Sequence, residues 1–80
     1  MTIEVLHFAS LRALLGVASE SLDIPGDAPA QTVFELIQQR HQRSLQASHY
    51  RVAINDCFAQ WSDPVQPGDT VAFIPPVTGG

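Results

Sequence analysis

The stretch Thr70–Gly80 reads TVAFIPPVTGG, an apolar strand that two consecutive prolines bring to an end. Neither proline can donate a hydrogen bond to a neighbouring strand, and each fixes φ near the value of an extended chain. The two final glycines carry no Cβ, so they fit a passage that is too narrow for other residues. We therefore expect residues 75–80 to form an extended tail with an activatable carboxylate, rather than a frayed terminus or a cloning remnant.

Length and charge restrict the class of function. The chain has 80 residues, which we assign to one domain spanning residues 1–80. A formal net charge of −4 leaves no basic patch for phosphates, so we expect neither nucleic acid nor an anionic membrane surface as a partner. The sequence has no bilayer-spanning apolar run, no basic signal-peptide start and a single cysteine. We expect a soluble cytoplasmic protein.

Hydrophobic periodicity predicts five strands and one main helix. One amphipathic helix then covers one face of a small mixed sheet, which is a β-grasp arrangement of the α+β class, with the first and last strands side by side at its centre. The predicted strands are residues 2–9, 19–24, 50–54, 57–59 and 70–74, the predicted helix is residues 32–43, and residues 44–49 are predicted to be a loop.

Local signals predict how these elements begin and end. Ser10 is a candidate N-cap for a short helical turn over residues 10–15, which Gly16 would end. Thr32 and Glu35 have the spacing of a capping box at the start of the main helix. The pair Asn55–Asp56 predicts a two-residue turn, because both residue types tolerate positive φ.

Strand parity divides the apolar residues between two faces of the sheet. We expect one set to face the helix: Ile3, Val5, Val52, Ile54, Val71 and Phe73. We expect a second set to face away from it: Leu6, Phe8, Ala53, Phe58, Ala72 and Ile74. No predicted element remains to cover the second set. An uncovered apolar face of this kind favours a binding site for a partner. The alternatives are that these residues are scattered over the surface or are buried under the loop of residues 44–50.

Several reactive residue types are interpreted as structural. His7, His41 and His49 share no spacing and no obvious carboxylate cluster, so we predict no metal ligands among them. Cys57 follows a turn with no cation beside it in the sequence and is interpreted as an incidental thiol. Trp61 is expected to pack in the core. Three aspartates are interpreted as turn residues: Asp56, Asp63 and Asp69.

The chain resembles the small, sulfur-carrying subunit of molybdopterin synthase, a ubiquitin-like family. The resemblance rests on residues 5–9 (VLHFA), 52–55 (VAIN) and 67–80 (PGDTVAFIPPVTGG), of which the last is the most specific. His7 and Ile74 depart mildly from the family pattern, which has a large apolar residue and often an aromatic at these positions. The resemblance implies a ubiquitin-like β-grasp fold and a protein that is not catalytic alone.

The resemblance also implies a mechanism. An E1-like adenylating enzyme uses ATP to activate the Gly80 carboxylate, a sulfur donor protein converts the adenylate to a thiocarboxylate, and the large subunit of a heterotetramer uses it to sulfurate cyclic pyranopterin monophosphate. This chain would bind no cofactor itself. The tail expected to enter the large subunit comprises Pro75, Pro76, Val77, Thr78 and Gly79. The implied interface residues are Leu6, Phe8, Phe58, Ala72 and Ile74.

Three alternatives remain at this point. A carrier for thiamin thiazole synthesis would use the same chemistry at Gly80 with another acceptor. A ubiquitin-like modifier would end in an isopeptide bond, with Gly80 as the donor. A plain interaction module would never be activated at its tail. The PPVT sequence before the glycines favours molybdopterin synthase over the thiazole pathway.

Overall fold

The computed structural model describes residues 1–76, in which five strands form one mixed sheet of order β2-β1-β5-β3-β4. Strand β1 pairs parallel with β5, and the other three pairings are antiparallel. The predicted α+β β-grasp arrangement is therefore confirmed, including the central position of the first and last strands. The strands are β1 (Thr2–His7), β2 (Ser19–Asp23), β3 (Arg51–Ile54), β4 (Cys57–Ala59) and β5 (Thr70–Ile74).

The short helix α1 (Ala9–Leu15) follows β1 and ends at Gly16, whose φ of 76° confirms the predicted left-handed C-cap. The prediction of Ser10 as N-cap is wrong. The carbonyl of Phe8 already accepts hydrogen bonds from the backbone N–H groups of Leu11 and Arg12, so Phe8 occupies the cap position. Ser10 consequently lies inside the first turn.

The main helix α2 (Ala30–His41) begins two residues earlier than predicted, and the Thr32–Glu35 capping box is not formed. Backbone carbonyls of a distant loop cap this helix instead. The N–H of Ala30 donates to the carbonyl of Asp63, and the N–H of Gln31 donates to that of Trp61, both at 2.9 Å. These bonds satisfy donors that side-chain caps usually satisfy, so the threonine hydroxyl is not needed there.

The core lies between α2 and one face of the sheet. The residues predicted to face the helix do so: Ile3, Val5, Val52, Val71 and Phe73 are at most 2% exposed, and Ile54 packs at the margin. The Phe34 ring of α2 lies 5.0 Å from both the Phe73 and the Trp61 rings, centroid to centroid. Trp61 is thus a packing residue, as predicted.

The segment between α2 and β3 is more ordered than the predicted loop. It contains a 3-10 turn over Ala47–His49, and the Gln38 side chain accepts a hydrogen bond from the N–H of Leu45 at 2.7 Å. The hairpin turn between β3 and β4 is confirmed, with φ of 51° at Asn55 and 69° at Asp56. Neither α1 nor α2, the α-helices described within residues 1–76, has the length and hydrophobicity that a membrane span requires.

Candidate partner-binding groove and C-terminal segment

An apolar groove of about 190 Å³ lies on the sheet face opposite α2. All six residues that strand parity predicts to face outward contribute to it, together with two polar residues at its rim. The lining residues are Leu6, Phe8, Ala53, Asp56, Phe58, Thr70, Ala72 and Ile74. The predicted division of the two faces is therefore confirmed, and residues 44–50 do not line the groove. Its role in binding a partner stays a prediction.

Strand register explains the shape of the groove. Leu6 of β1 lies beside Ala72 of β5, Ala72 beside Ala53 of β3, and Ala53 beside Phe58 of β4. This row places two small side chains between two large ones. Because the alanines end at Cβ, they form the floor of the groove, and the leucine and phenylalanine form its walls on either side.

Two phenylalanines at the groove are unusually open to solvent. Phe8 is 45% exposed and Phe58 is 60% exposed. The Arg51 guanidinium lies over the Phe58 ring, 3.8 Å from the ring centroid, in a cation–π contact. Exposed aromatic rings suit interface anchors, because they can bury a large apolar area at low entropic cost.

Polar contacts fix the β3–β4 hairpin against β5 at one end of the groove. The Asn55 side chain donates to Asp69 at 2.8 Å and accepts from the N–H of Thr70 at 2.9 Å. The N–H of Asn55 donates to the Thr70 carbonyl at 2.8 Å. These bonds hold the wall that carries Phe58 in a defined position relative to the floor.

The C-terminal segment leaves the sheet beside the groove. Ile74, the last residue of β5, lines the groove. Pro75 follows it and is buried, whereas Pro76 is exposed. The predicted tail residues Val77, Thr78, Gly79 and Gly80 lie outside the described residues, so their conformation stays a prediction.

At the other face, Glu20 joins two histidines that are far apart in the sequence. The Glu20 Oε2 atom lies 2.7 Å from His7 Nε2 and 2.7 Å from His41 Nε2. Since a carboxylate oxygen only accepts, each Nε2 carries the donated proton. The Arg40 guanidinium donates to the other oxygen, Oε1, at 2.9 Å. The expectation that the histidines meet no carboxylate is thus wrong.

Burial raises the pKa of the Glu20 carboxyl, but hydrogen bonds from the two imidazoles and the guanidinium outweigh it, and they lower the pKa from 4.5 to about 2. Sequence reasoning missed this group although parity carried a signal. Glu20 pairs with Val5, and Leu22 pairs with Ile3, so the carboxylate stands on the covered face of the sheet. A charged residue at such a position requires a partner.

The remaining reactive residues are structural or isolated. Cys57 is an exposed free thiol on β4. Asp63 and Asp69 each accept a backbone hydrogen bond from the residue three positions earlier, at 2.9 Å and 2.8 Å, as turn residues do. His49 is exposed in the 3-10 turn, away from the other two histidines.

Proteins similar to this chain include full-length relatives. One is named molybdopterin synthase sulfur carrier subunit, from Haemophilus influenzae, and is 37% identical over 98% of this chain and 99% of its own. A human protein of the same name is 32% identical over 98% of this chain and 93% of its own.

Solved structures show the same fold. SAMP1 from Haloferax volcanii superposes with a TM-score of 0.86 at 26% identity, covering 100% of both chains. A Helicobacter pylori structure, described as a complex of subunits 1 and 2 of molybdopterin-converting factor, superposes with a TM-score of 0.65 at 22% identity over 100% of both chains. A ubiquitin from Caldiarchaeum subterraneum superposes with a TM-score of 0.68 at 16% identity over 100% of this chain and 98% of its own, so the fold is ubiquitin-like. The profile of the ThiS family matches residues 5–80, and the chain belongs to that family.

Proposed function

We propose that this chain is the sulfur carrier subunit of a molybdopterin synthase. The observation that carries the proposal is its likeness to relatives of that name along nearly the whole of both chains, at 32% and 37% identity. The apolar groove supports it, because a carrier needs a docking face beside the point where its reactive tail leaves the sheet. The glycines at positions 79 and 80 supply a tail end of minimal width.

In the proposed reaction, the Gly80 carboxylate attacks the α-phosphorus of ATP on an E1-like enzyme and releases pyrophosphate. A donor then delivers sulfur at the oxidation level of sulfide, and this sulfur attacks the acyl carbon, displaces AMP and leaves a thiocarboxylate. The thiocarboxylate sulfur is ionised and polarizable, so it attacks without a base from this chain. The large subunit supplies the acids, bases and oxyanion donors. The sulfur displaces an oxygen substituent of cyclic pyranopterin monophosphate, and water then cleaves the acyl–sulfur bond, which leaves the sulfur on the pterin and regenerates the Gly80 carboxylate.

The proposed docking face is the groove and its rim. Its two exposed phenylalanines, Phe8 and Phe58, are the expected anchors, and the apolar floor excludes water once the partner covers it. The Helicobacter pylori structure, a complex of two subunits by its description, supports a partner of this kind. We propose that the large subunit covers Leu6, Phe8, Phe58, Ala72 and Ile74 and receives residues 75–80 in its active site.

Reconstitution with candidate partners tests this proposal. We expect the chain to form a stable complex with a large molybdopterin synthase subunit. When the chain carries a thiocarboxylate, that complex should convert cyclic pyranopterin monophosphate to molybdopterin. A complex with a thiazole synthase instead would assign the chain to thiamin synthesis. No complex with either, at concentrations that support control pairs, would reject the carrier proposal.

A modifier function is the second candidate, because SAMP1, a small archaeal modifier protein, superposes over the whole chain. Its test is a search for isopeptide adducts between Gly80 and lysine side chains of other proteins after activation. Such adducts with no sulfur transfer would favour the modifier function. This chain contains no lysine, so it would act only as the donor.

A further inference from the structure

We propose that His7, Glu20 and His41 form a binding site for a divalent transition-metal ion of the zinc type. The imidazole and carboxylate donor atoms of these three residues all lie within 4.8 Å of one another. Two imidazole nitrogens and one carboxylate oxygen are a donor set that suits Zn²⁺ and its neighbours in the first transition series. The proposal departs from the sequence-based expectation of no metal ligands and is independent of the proposed function.

The ligands come from three rigid elements. His7 ends β1, Glu20 stands on the adjacent β2, and His41 is the last residue of α2. Glu20 Oε2 lies 2.7 Å from each Nε2, whereas ligand atoms around tetrahedral zinc stand roughly 3.3 Å apart at bond lengths of about 2.0–2.1 Å. Small side-chain rotations would therefore make room for an ion in place of the two shared protons.

A neighbouring arginine orients the carboxylate. Arg40 Nη1 donates to Glu20 Oε1 at 2.9 Å and to the Ser21 carbonyl at 2.8 Å. This contact leaves Oε2 directed at the histidines, as an outer partner of a metal ligand does. The His7 side chain is fully buried, while those of Glu20 and His41 are 11% and 20% exposed, so an ion enters from the solvent side, where a water completes its coordination.

Two features limit the affinity. Coordination through Nε2 moves the ring proton of each histidine to Nδ1, and His7 Nδ1 is buried with no hydrogen-bond partner among the described residues. The Arg40 guanidinium also repels a cation. We therefore expect weaker binding than at structural zinc sites, in which each imidazole has an outer acceptor.

Zinc binding to the untagged full chain tests the site. The parent chain and every variant in this test carry the substitution Cys57→Ser, because the exposed thiol of Cys57 is a competing zinc ligand. We expect one Zn²⁺ per chain by calorimetry, and a visible absorption band of tetrahedral type when Co²⁺ is added. His41→Ala and Glu20→Gln should each weaken Zn²⁺ binding by at least about tenfold. His49→Ala, which changes an exposed histidine outside the site, should leave the affinity unchanged.

A further variant keeps the test decisive if the others fold poorly. His7→Leu replaces the buried ligand by an apolar side chain of similar size, so the folded chain should persist and the rise of Tm with added Zn²⁺ should disappear. Absence of Zn²⁺ binding by the parent chain would overturn the proposal, as would equal binding by folded His41→Ala and His7→Leu. Neither result bears on the carrier function, since no activating enzyme or partner takes part.

Discussion

The helix-covered face of the sheet and the groove face are built from alternating residues of the same strands, but their side chains have different surroundings. Phe73 on the covered face is fully buried among aromatic rings, whereas Phe58 on the groove face is 60% exposed. An apolar side chain already removed from water stabilises the fold, and one still in water has that free energy available for binding. The covered face should therefore govern stability, and the groove face should govern association.

The largest expected effect concerns stability. Phe73→Ala should lower the free energy of unfolding by about 3–5 kcal/mol, because it leaves a cavity beneath α2. Phe58→Ala, the matched change on the other face, should alter it by no more than about 0.5 kcal/mol. Urea denaturation of both variants measures the difference. Equal destabilisation by the two substitutions would contradict the proposed division of roles between the faces.

Substitutions on the groove face should affect partner binding more than they affect stability. Phe58→Ala should weaken the complex with the large subunit by about 2 kcal/mol, or roughly 30-fold in Kd, because it removes an anchor of the groove wall. Leu14→Ala is the control, since Leu14 is 42% exposed but does not line the groove. Calorimetric titration measures both variants, and a loss of similar size in Leu14→Ala would argue against the groove as the docking face.

Low pH should reduce the free energy of unfolding, because it protonates Glu20 on the covered face. Its pKa lies at about 2 in the folded protein against an ordinary 4.5, so its stabilising contribution is complete above pH 4.5 and is lost as the pH falls towards 2. With allowance for solvent screening we expect a loss of roughly 1–2 kcal/mol. Urea denaturation at several pH values across this range should show the loss of stability. The Glu20→Gln variant should not show this pH dependence, whereas the control Glu35→Gln, on the exposed side of α2, should keep it.

The smallest expected effect concerns Arg51, whose guanidinium lies over the exposed Phe58 ring. Arg51→Ala removes the contact with Phe58, and it should lower the free energy of unfolding by about 0.5 kcal/mol, because the pair is open to solvent. Urea denaturation beside the parent chain measures it. A loss above about 2 kcal/mol would mean that the groove face contributes to stability far more than its exposure indicates.

Much of the fold could be predicted because its signals are local and periodic. Alternation along the strands predicted which side chains enter the core and which face outward, and the structure brings the six outward residues together in one groove. The Asn55–Asp56 turn and the Gly16 C-cap were likewise readable, since each depends on the φ preference of one residue type.

Two of the errors, at the start of α2 and at the histidines, arose because a segment distant in the sequence supplies the hydrogen-bond partners. The backbone carbonyls of Trp61 and Asp63 cap α2 and make the Thr32–Glu35 capping box unnecessary. The residues around Thr32 contain no signal that predicts this contact with a loop about 30 residues away. The Glu20 cluster unites residues from β1, β2 and α2, so its existence depends on strand register and helix placement together. Spacing along the chain cannot reveal such a site, although an inward-facing carboxylate could have drawn attention to it.

The most direct test of the carrier function is the intact mass of the chain after incubation with its E1-like enzyme, ATP and a sulfur source. Our account predicts that sulfur replaces one oxygen, that fragmentation places the change at Gly80, and that a variant with one residue added after Gly80 is not modified. An unchanged mass, with an activating enzyme that converts a control carrier, would contradict the account and favour an interaction module whose tail is never activated.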